Sequence, residues 1–221
     1  MSAQQSAKNR RLAATASGPL PGDVAQGTRR TILEVALTQF AERGYAGTSI
    51  RDIAAAIEVK AASLYAHFPS KAHILAELVE LGHDEQLRST QSELLKSDPD
   101  PRAQILSYVR GHVAAHATYQ MLCIVANAEL HMLEGELASP ALQKRKFAEQ
   151  LLNSIVARGI EQDLFHVPHA WLSTAAIGGM GLRVAYWYTP EFDQDIEALS
   201  RTYGLFALRL LGVADADDWA G

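Results

Sequence analysis

Cysteine is nearly absent from the 221 residues: the single Cys123 can staple no intramolecular disulfide and favours a reducing compartment, the cytoplasm. No uninterrupted apolar run of about 18 residues exists, which excludes a membrane-spanning helix. Residues 1–27 hold Ser, Ala, Gly, Gln and Pro without an apolar stretch, so they lack the core of a secretory signal and are expected to form a disordered arm. Enzyme signatures are missing as well. No strand and Lys-Ser/Thr pair frame a glycine loop, and no nucleophile elbow or metal motif organises the Ser, His and acidic residues, so neither catalysis nor a cofactor is expected. Internal repeats and β-alternation are also missing. With 48% hydrophobic residues the chain can still build a sizeable core.

Net charge is −5, but it is unevenly spread: residues up to 73 carry +4 and the remainder −9. A local positive surface is what phosphate binding requires, because counterion release depends on the charges docked and not on the whole protein.

Residues 31–75 have the pattern of three short packed helices. Ile32, Val35, Ala36 and Phe40 recur at helical spacing, and Gly44 follows as a stop. Thr48-Ser49 opens a second helix, with Asp52 as capping-box partner of Ser49 and Ile50, Ile53, Ala54 and Ile57 inward. After a tight turn at Glu58-Val59-Lys60, a third helix turns Leu64 and Phe68 inward. That leaves Lys60, Ala61, Ala62, Ser63, Tyr65 and His67 facing out, where a DNA groove could meet them.

The string Ser63-Leu64-Tyr65-Ala66-His67-Phe68 followed by Ser70-Lys71 resembles the signature of the TetR family of transcriptional regulators. Phe40-Ala41-Glu42-Arg43-Gly44-Tyr45 and the stretch from Thr48 to Ala54 match it too. Two positions depart from the pattern. Glu58 and Ala62 stand where the family usually has Gly, so a non-glycine residue is expected at positive φ in the turn, at a cost of order 1 kcal/mol.

The resemblance implies an all-α fold of about nine helices, with a helix-turn-helix domain at 28–73 and a ligand-binding and dimerisation domain at 74–214. It also implies roles for single residues. Tyr65 and Lys71 would touch phosphate, Lys71 with help from a helix N-terminus. Thr48 would be an N-cap, alone or with a phosphate contact. Lys60, Ser63 and His67 would meet base edges or phosphates. Arg29 and Arg30, read as preceding the first helix, could meet the DNA backbone or minor groove, as could Lys8, Arg10 and Arg11 in the arm. Two copies would bind a palindromic double-stranded operator, and a small-molecule effector would shift their spacing.

Helical patterns continue from Ser70 to Lys96, Asp100 to Thr118, Tyr119 to Glu134, Ser139 to Asp163, Pro168 to Tyr188 and Phe192 to Gly212. The glycines at 178, 179 and 181 sit inside one of them at a helix cost of about 1 kcal/mol each. Close approach of the last helix in a dimer-forming bundle, or a kink beside a pocket, would compensate. Ala185-Tyr186-Trp187-Tyr188-Thr189-Pro190, Tyr203 and Ala207 to Gly212 resemble the TetR subgroup that controls fatty-acid and sterol catabolism and often answers to acyl-CoA thioesters.

An effector of that kind wants an apolar channel with a few polar or cationic groups. Met121, Met132, Trp171 and Met180 offer the first, and Arg183, Asn127, His131 and His116 the second. The competing reading of the Met and aromatic positions is plain core. His112 and His116, one turn apart, also suit metal ligands, with His131, His166 and His169 elsewhere, and Cys123 could be a redox group. A metal- or redox-responsive regulator and a helical adaptor without DNA binding are therefore the alternatives.

Overall fold

Apolar positions at helical spacing fold this chain into nine α-helices and no strand among the residues that the computed structural model describes, which are 20–22, 24–189 and 191–219. They are α1 Thr28–Arg43, α2 Ile50–Ala56, α3 Ala61–Tyr65, α4 Lys71–Leu94, α5 Pro101–Thr118, α6 Gln120–Glu129, α7 Ser139–Glu161, α8 Ala170–Val184 and α9 Ile196–Leu210. Tight single turns of helix cover Leu130–Met132, Gly135–Leu137 and Ala216–Trp219. The all-α expectation therefore holds, with shifted ends. The pattern from Tyr119 to Glu134 is α only to Glu129, and α9 begins at Ile196 instead of Phe192 because Asp195 caps it, accepting from the Ala198 amide at 2.8 Å.

Packing divides the chain into two units. The first comprises the described residues up to Asp84 together with Tyr119–Gln143; the second comprises Glu85–Thr118 and the described chain from Lys144 onward. In the first unit, Ile32, Leu33, Leu37 and Phe40 of α1, Ile53 of α2, Leu64 of α3, Ile74 and Leu78 of α4, and Met121, Leu122 and Val125 of α6 share one core with Phe68. Burying each such side chain contributes about 1.5–3 kcal/mol. Leu20 belongs to the same core at 1% exposure, and the Arg30 guanidinium donates to the carbonyls of Leu20, Pro21 and Val24. Packing thus begins ahead of the arm boundary suggested by composition. Lys8, Arg10 and Arg11 lie outside the described residues.

In the second unit α5 packs against both α8 and α9. Ile105, Val109 and Val113 of α5 join Leu152, Ile155 and Val156 of α7, Ile177 and Val184 of α8, and Leu199, Ala207 and Leu208 of α9. One glycine of the run is explained within the chain. At Gly181 an added Cβ would run into the His112 ring, so α8 closes on α5 there. Added Cβ atoms at Gly178 and Gly179 would meet nothing within 4 Å. Gly181→Ala is accordingly expected to destabilise the protein by about 1–3 kcal/mol, the usual cost of overpacking. A chemical denaturation midpoint equal to that of the parent would mean that the two helices are not seated so closely.

Candidate functional site

The local chemistry of the first unit builds a helix-turn-helix. Ser49 caps α2: its side chain accepts from the Asp52 amide at 3.2 Å, while the Asp52 carboxylate takes the Ser49 amide at 2.8 Å. The Ser49 hydroxyl and amide hydrogen bonds hold the Asp52 carboxyl below its ordinary pKa. Glu58, in the turn to α3, has φ 56, as expected for a residue in a glycine position. Leu64 and Phe68 are buried, and Lys60, Ala62, Ser63, Tyr65 (55% exposed) and His67 are exposed. Ala61 is a correction: it is half-buried against the core, because α3 is a single short helix whose first turn leans on its neighbours.

Three further residues expected at DNA have partners within the chain. Arg29 and Arg30 lie in the first turn of α1 instead of preceding it. Arg29 is paired with Glu77, donates to the His67 carbonyl at 2.6 Å and lies 4.1 Å from the centre of the Phe68 ring. Thr48 is not the N-cap. It is buried, and its hydroxyl faces the carbonyls of Gln39 at 3.2 Å and Gly44 at 3.0 Å, which leaves it no proton for a phosphate.

Lys71 opens α4, yet its ammonium turns back. Nζ donates to the carbonyls of Tyr45 at 2.7 Å and Thr48 at 2.6 Å and lies 4.0 Å from the centre of the Tyr45 ring. Burial lowers its pKa, and the Asp52 and Glu129 carboxylates act in the opposite sense. Across the same loop, the Tyr45 amide donates to Glu129 Oε1 at 3.3 Å.

Residues read as effector contacts fall in both units. In the first, Met121 is buried, Asn127 donates to the Cys123 carbonyl of its own helix at 2.8 Å, and His131 is exposed with Nδ1 2.8 Å from the Ala128 carbonyl. In the second lie Trp171 (73% exposed) and Arg183. Both are on the surface of their unit, and the Arg183 guanidinium is stacked 4.5 Å from the Tyr186 ring centre.

His116 is buried, its Nδ1 2.8 Å from the His112 carbonyl. His112 forms part of a buried polar chain. The Gln86 amide NH2 can only donate, so His112 Nδ1, at 3.1 Å, accepts; Nε2 therefore carries the proton and donates to the Gly178 carbonyl at 3.0 Å. With both nitrogens engaged, His112 has no lone pair for a metal, and no group of metal-ligating side chains occurs among the described residues.

Comparison with known proteins identifies the assembly. Residues 32–78 match the bacterial regulatory proteins of the tetR family, and residues 98–211 match the tetracyclin repressor-like C-terminal domain. The chain belongs to the TetR family. It is a DNA-binding transcriptional regulator and not an enzyme. It is 27% identical over 193 residues to the HTH-type transcriptional repressor KstR2 of Rhodococcus jostii strain RHA1, covering 84% of this chain and 93% of that protein. A tetR-family regulatory protein from Rhodococcus RHA1 superposes with a TM-score of 0.78 at 25% identity, covering 86% of this chain and all of that one. AibR, solved in complex with isovaleryl coenzyme A and operator DNA, has a TM-score of 0.71 at 23% identity over 80% of this chain and 96% of that one.

Sequence reasoning missed Glu129 of α6 as a support of this TetR helix-turn-helix, because its partner Tyr45 is 84 positions away and no local spacing announces it. It also missed Gln86, whose amide fixes the His112 tautomer.

Two predictions follow from these contacts. Glu58→Gly removes the left-handed strain at the cost of some unfolded-chain entropy, and should stabilise the protein by about 0.5–1 kcal/mol in urea denaturation. Burial holds His112 below the ordinary histidine pKa, the Gly178 hydrogen bond opposing, so the unfolded chain binds a proton that the folded one refuses. Its contribution is complete above the unfolded value of about 6.5 and is lost as pH falls below it. Stability measured between pH 7.5 and 5.5 should fall less steeply in His112→Gln than in the parent, and parallel curves would contradict this.

Proposed function

We propose that the protein is a homodimeric cytoplasmic repressor whose two α3 helices read a palindromic operator and which a small-molecule effector releases. The observation that carries the DNA-binding half is the division of α3 between buried Leu64 and exposed Lys60, Ala62, Ser63, Tyr65 and His67. A helix presenting small residues beside donors fits a major groove. Lys60, Ser63 and His67 would meet base edges or phosphates, and the Tyr65 hydroxyl a phosphate. Half-sites would be about 34–36 Å apart, one helical turn of DNA.

Homodimer formation is supported by the outer faces of α8 and α9. Trp171, Leu172, Phe206 and Leu210 are exposed there, and Gly178 and Gly179 leave room beside them for another backbone. A repressor is supported by the relative in Rhodococcus jostii, which bears that name. An acyl-CoA thioester or similar apolar metabolite is supported by AibR, a protein of this fold solved with isovaleryl coenzyme A and operator DNA. Such an effector must bind the released arrangement more tightly than the DNA-bound one, and DNA must then weaken effector binding by the same factor.

Selection of duplexes from a random pool, followed by anisotropy titration with and without a panel of acyl-CoA thioesters, tests the reading. A palindromic consensus, released by one thioester, is expected. Lys60→Ala should lower the salt-dependence exponent by about 0.9, the value for one phosphate contact. Ala176→Glu should give monomers in sedimentation and weaken operator binding. An asymmetric consensus with a monomeric parent would overturn the dimer, and a complex indifferent to every thioester would remove the acyl-CoA class.

A further inference from the structure

The loop from Gly44 to Thr48 joins α1 to α2 and sets where the helix-turn-helix begins. It is gripped from both sides by residues that sequence order places far away. From one side Lys71 Nζ holds the carbonyls of Tyr45 and Thr48. From the other, Glu129, the last residue of α6, takes the Tyr45 amide on Oε1. Gly44 supplies the turn at φ 76, a conformation that favours glycine, and an added Cβ would stand in ordinary contact, 3.4 Å, with the same Oε1.

The two gripping helices are themselves locked together. At Gly82 of α4 an added Cβ would come within 2.6 Å of the Ala126 Cβ and 3.3 Å of the Leu122 carbonyl oxygen, both on α6. Met121 to Ala126 are all buried, so α6 is a fixed strut and not a floating surface turn. Lys71 at the start of α4 and Glu129 at the end of α6 therefore reach the loop as two ends of one rigid frame.

We propose that Glu129 is a positioning residue for DNA binding: with Lys71 it clamps the 44–48 loop, so that α2 and α3 are presented to DNA in one pose. Lys71 contributes through this clamp, its ammonium bonded to loop carbonyls, and not as a phosphate ligand. The inference rests on the assignment of α2 and α3 to the DNA-binding surface.

Sign and reach separate the clamp from ordinary electrostatics. Removing a carboxylate from a DNA-binding unit should, by charge alone, strengthen binding to a polyanion. The clamp requires the reverse. Glu129→Ala loses the acceptor, and Glu129→Asp keeps the charge but falls one methylene short. Glu129→Gln keeps both reach and an oxygen acceptor. Against the duplex that the parent selects from a random pool, Glu129→Ala and Glu129→Asp should bind about tenfold more weakly, as for loss of a hydrogen bond to a charged group. Glu129→Gln should stay within about twofold of the parent, since a neutral acceptor retains most of a modest net hydrogen-bond contribution. Lys71→Gln should weaken binding while leaving the salt exponent unchanged.

Circular dichroism at the assay temperature confirms that each variant compared is folded, and if Glu129→Ala is not, the Asp and Gln pair carries the test. Parent-like or tighter binding by Glu129→Asp overturns the clamp, and so does a Glu129→Gln loss equal to that of Asp. A Lys71→Gln exponent lower by about 0.9 makes Lys71 a phosphate ligand and overturns its part. A parent that selects no duplex at all would instead count against the DNA-binding assignment beneath the proposal.

Discussion

Three short helices and their turns are too little chain to enclose a core, since small domains bury a small fraction of their surface. The first unit meets that constraint by recruiting α6, whose Met121, Leu122 and Val125 complete the apolar interior begun by Phe40, Ile53 and Leu64. Everything else in the unit depends on this recruitment. The buried strut brings Glu129 to Tyr45, holds α4 at Gly82, and so places Lys71 over the loop that leads into α2. Two polar groups beside the core are satisfied by backbone carbonyls of α1 and the loop: Thr48 by Gln39 and Gly44, Lys71 by Tyr45 and Thr48.

The second unit solves a different problem. Gln86, His112 and Thr90 are buried polar residues within a helical bundle, and each finds a partner from the others or from a backbone carbonyl. A chain of this kind specifies which faces of α4, α5 and α8 meet, because a slip by one residue would strand a donor or acceptor at a cost of about 1–3 kcal/mol. The missing side chain at Gly181 is the steric counterpart: it makes the space that the His112 ring occupies.

What could be read from the sequence was what is decided locally. The Ser49 and Asp52 spacing announced the cap, the Leu64 and Phe68 spacing the inward face of α3, and the glycine position of Glu58 its positive φ. What could not be read was decided by partners remote in the chain. Arg29 and Lys71 are cations at places where DNA was expected, and nothing in the sequence shows that Glu77, His67, Tyr45 and Thr48 would engage them first. Trp171 and Arg183 looked like lining for an apolar channel, and they stand on the surface because helical periodicity fixes the angle between residues but not which side faces inward. The glycines of α8 were equivalent by composition, and only the position of His112 distinguishes Gly181 from Gly178 and Gly179.

Helix α4 runs over 24 residues from Lys71 to Leu94, and Gly82 seats it closely against α6 in the first unit. A side chain added at that seat would wedge α4 away from α6 and tilt the part of the helix that leads to Lys71. At 1.5 Å per residue the arm from Gly82 to Lys71 is about 16 Å, so a tilt of about 5° swings the Lys71 end by about 1.4 Å. That travel is enough to stretch the 2.6 Å and 2.7 Å hydrogen bonds to Thr48 and Tyr45 beyond bonding range. The depth of the Gly82 seat is therefore read out at the loop, about 16 Å along the helix, as a made or broken bond.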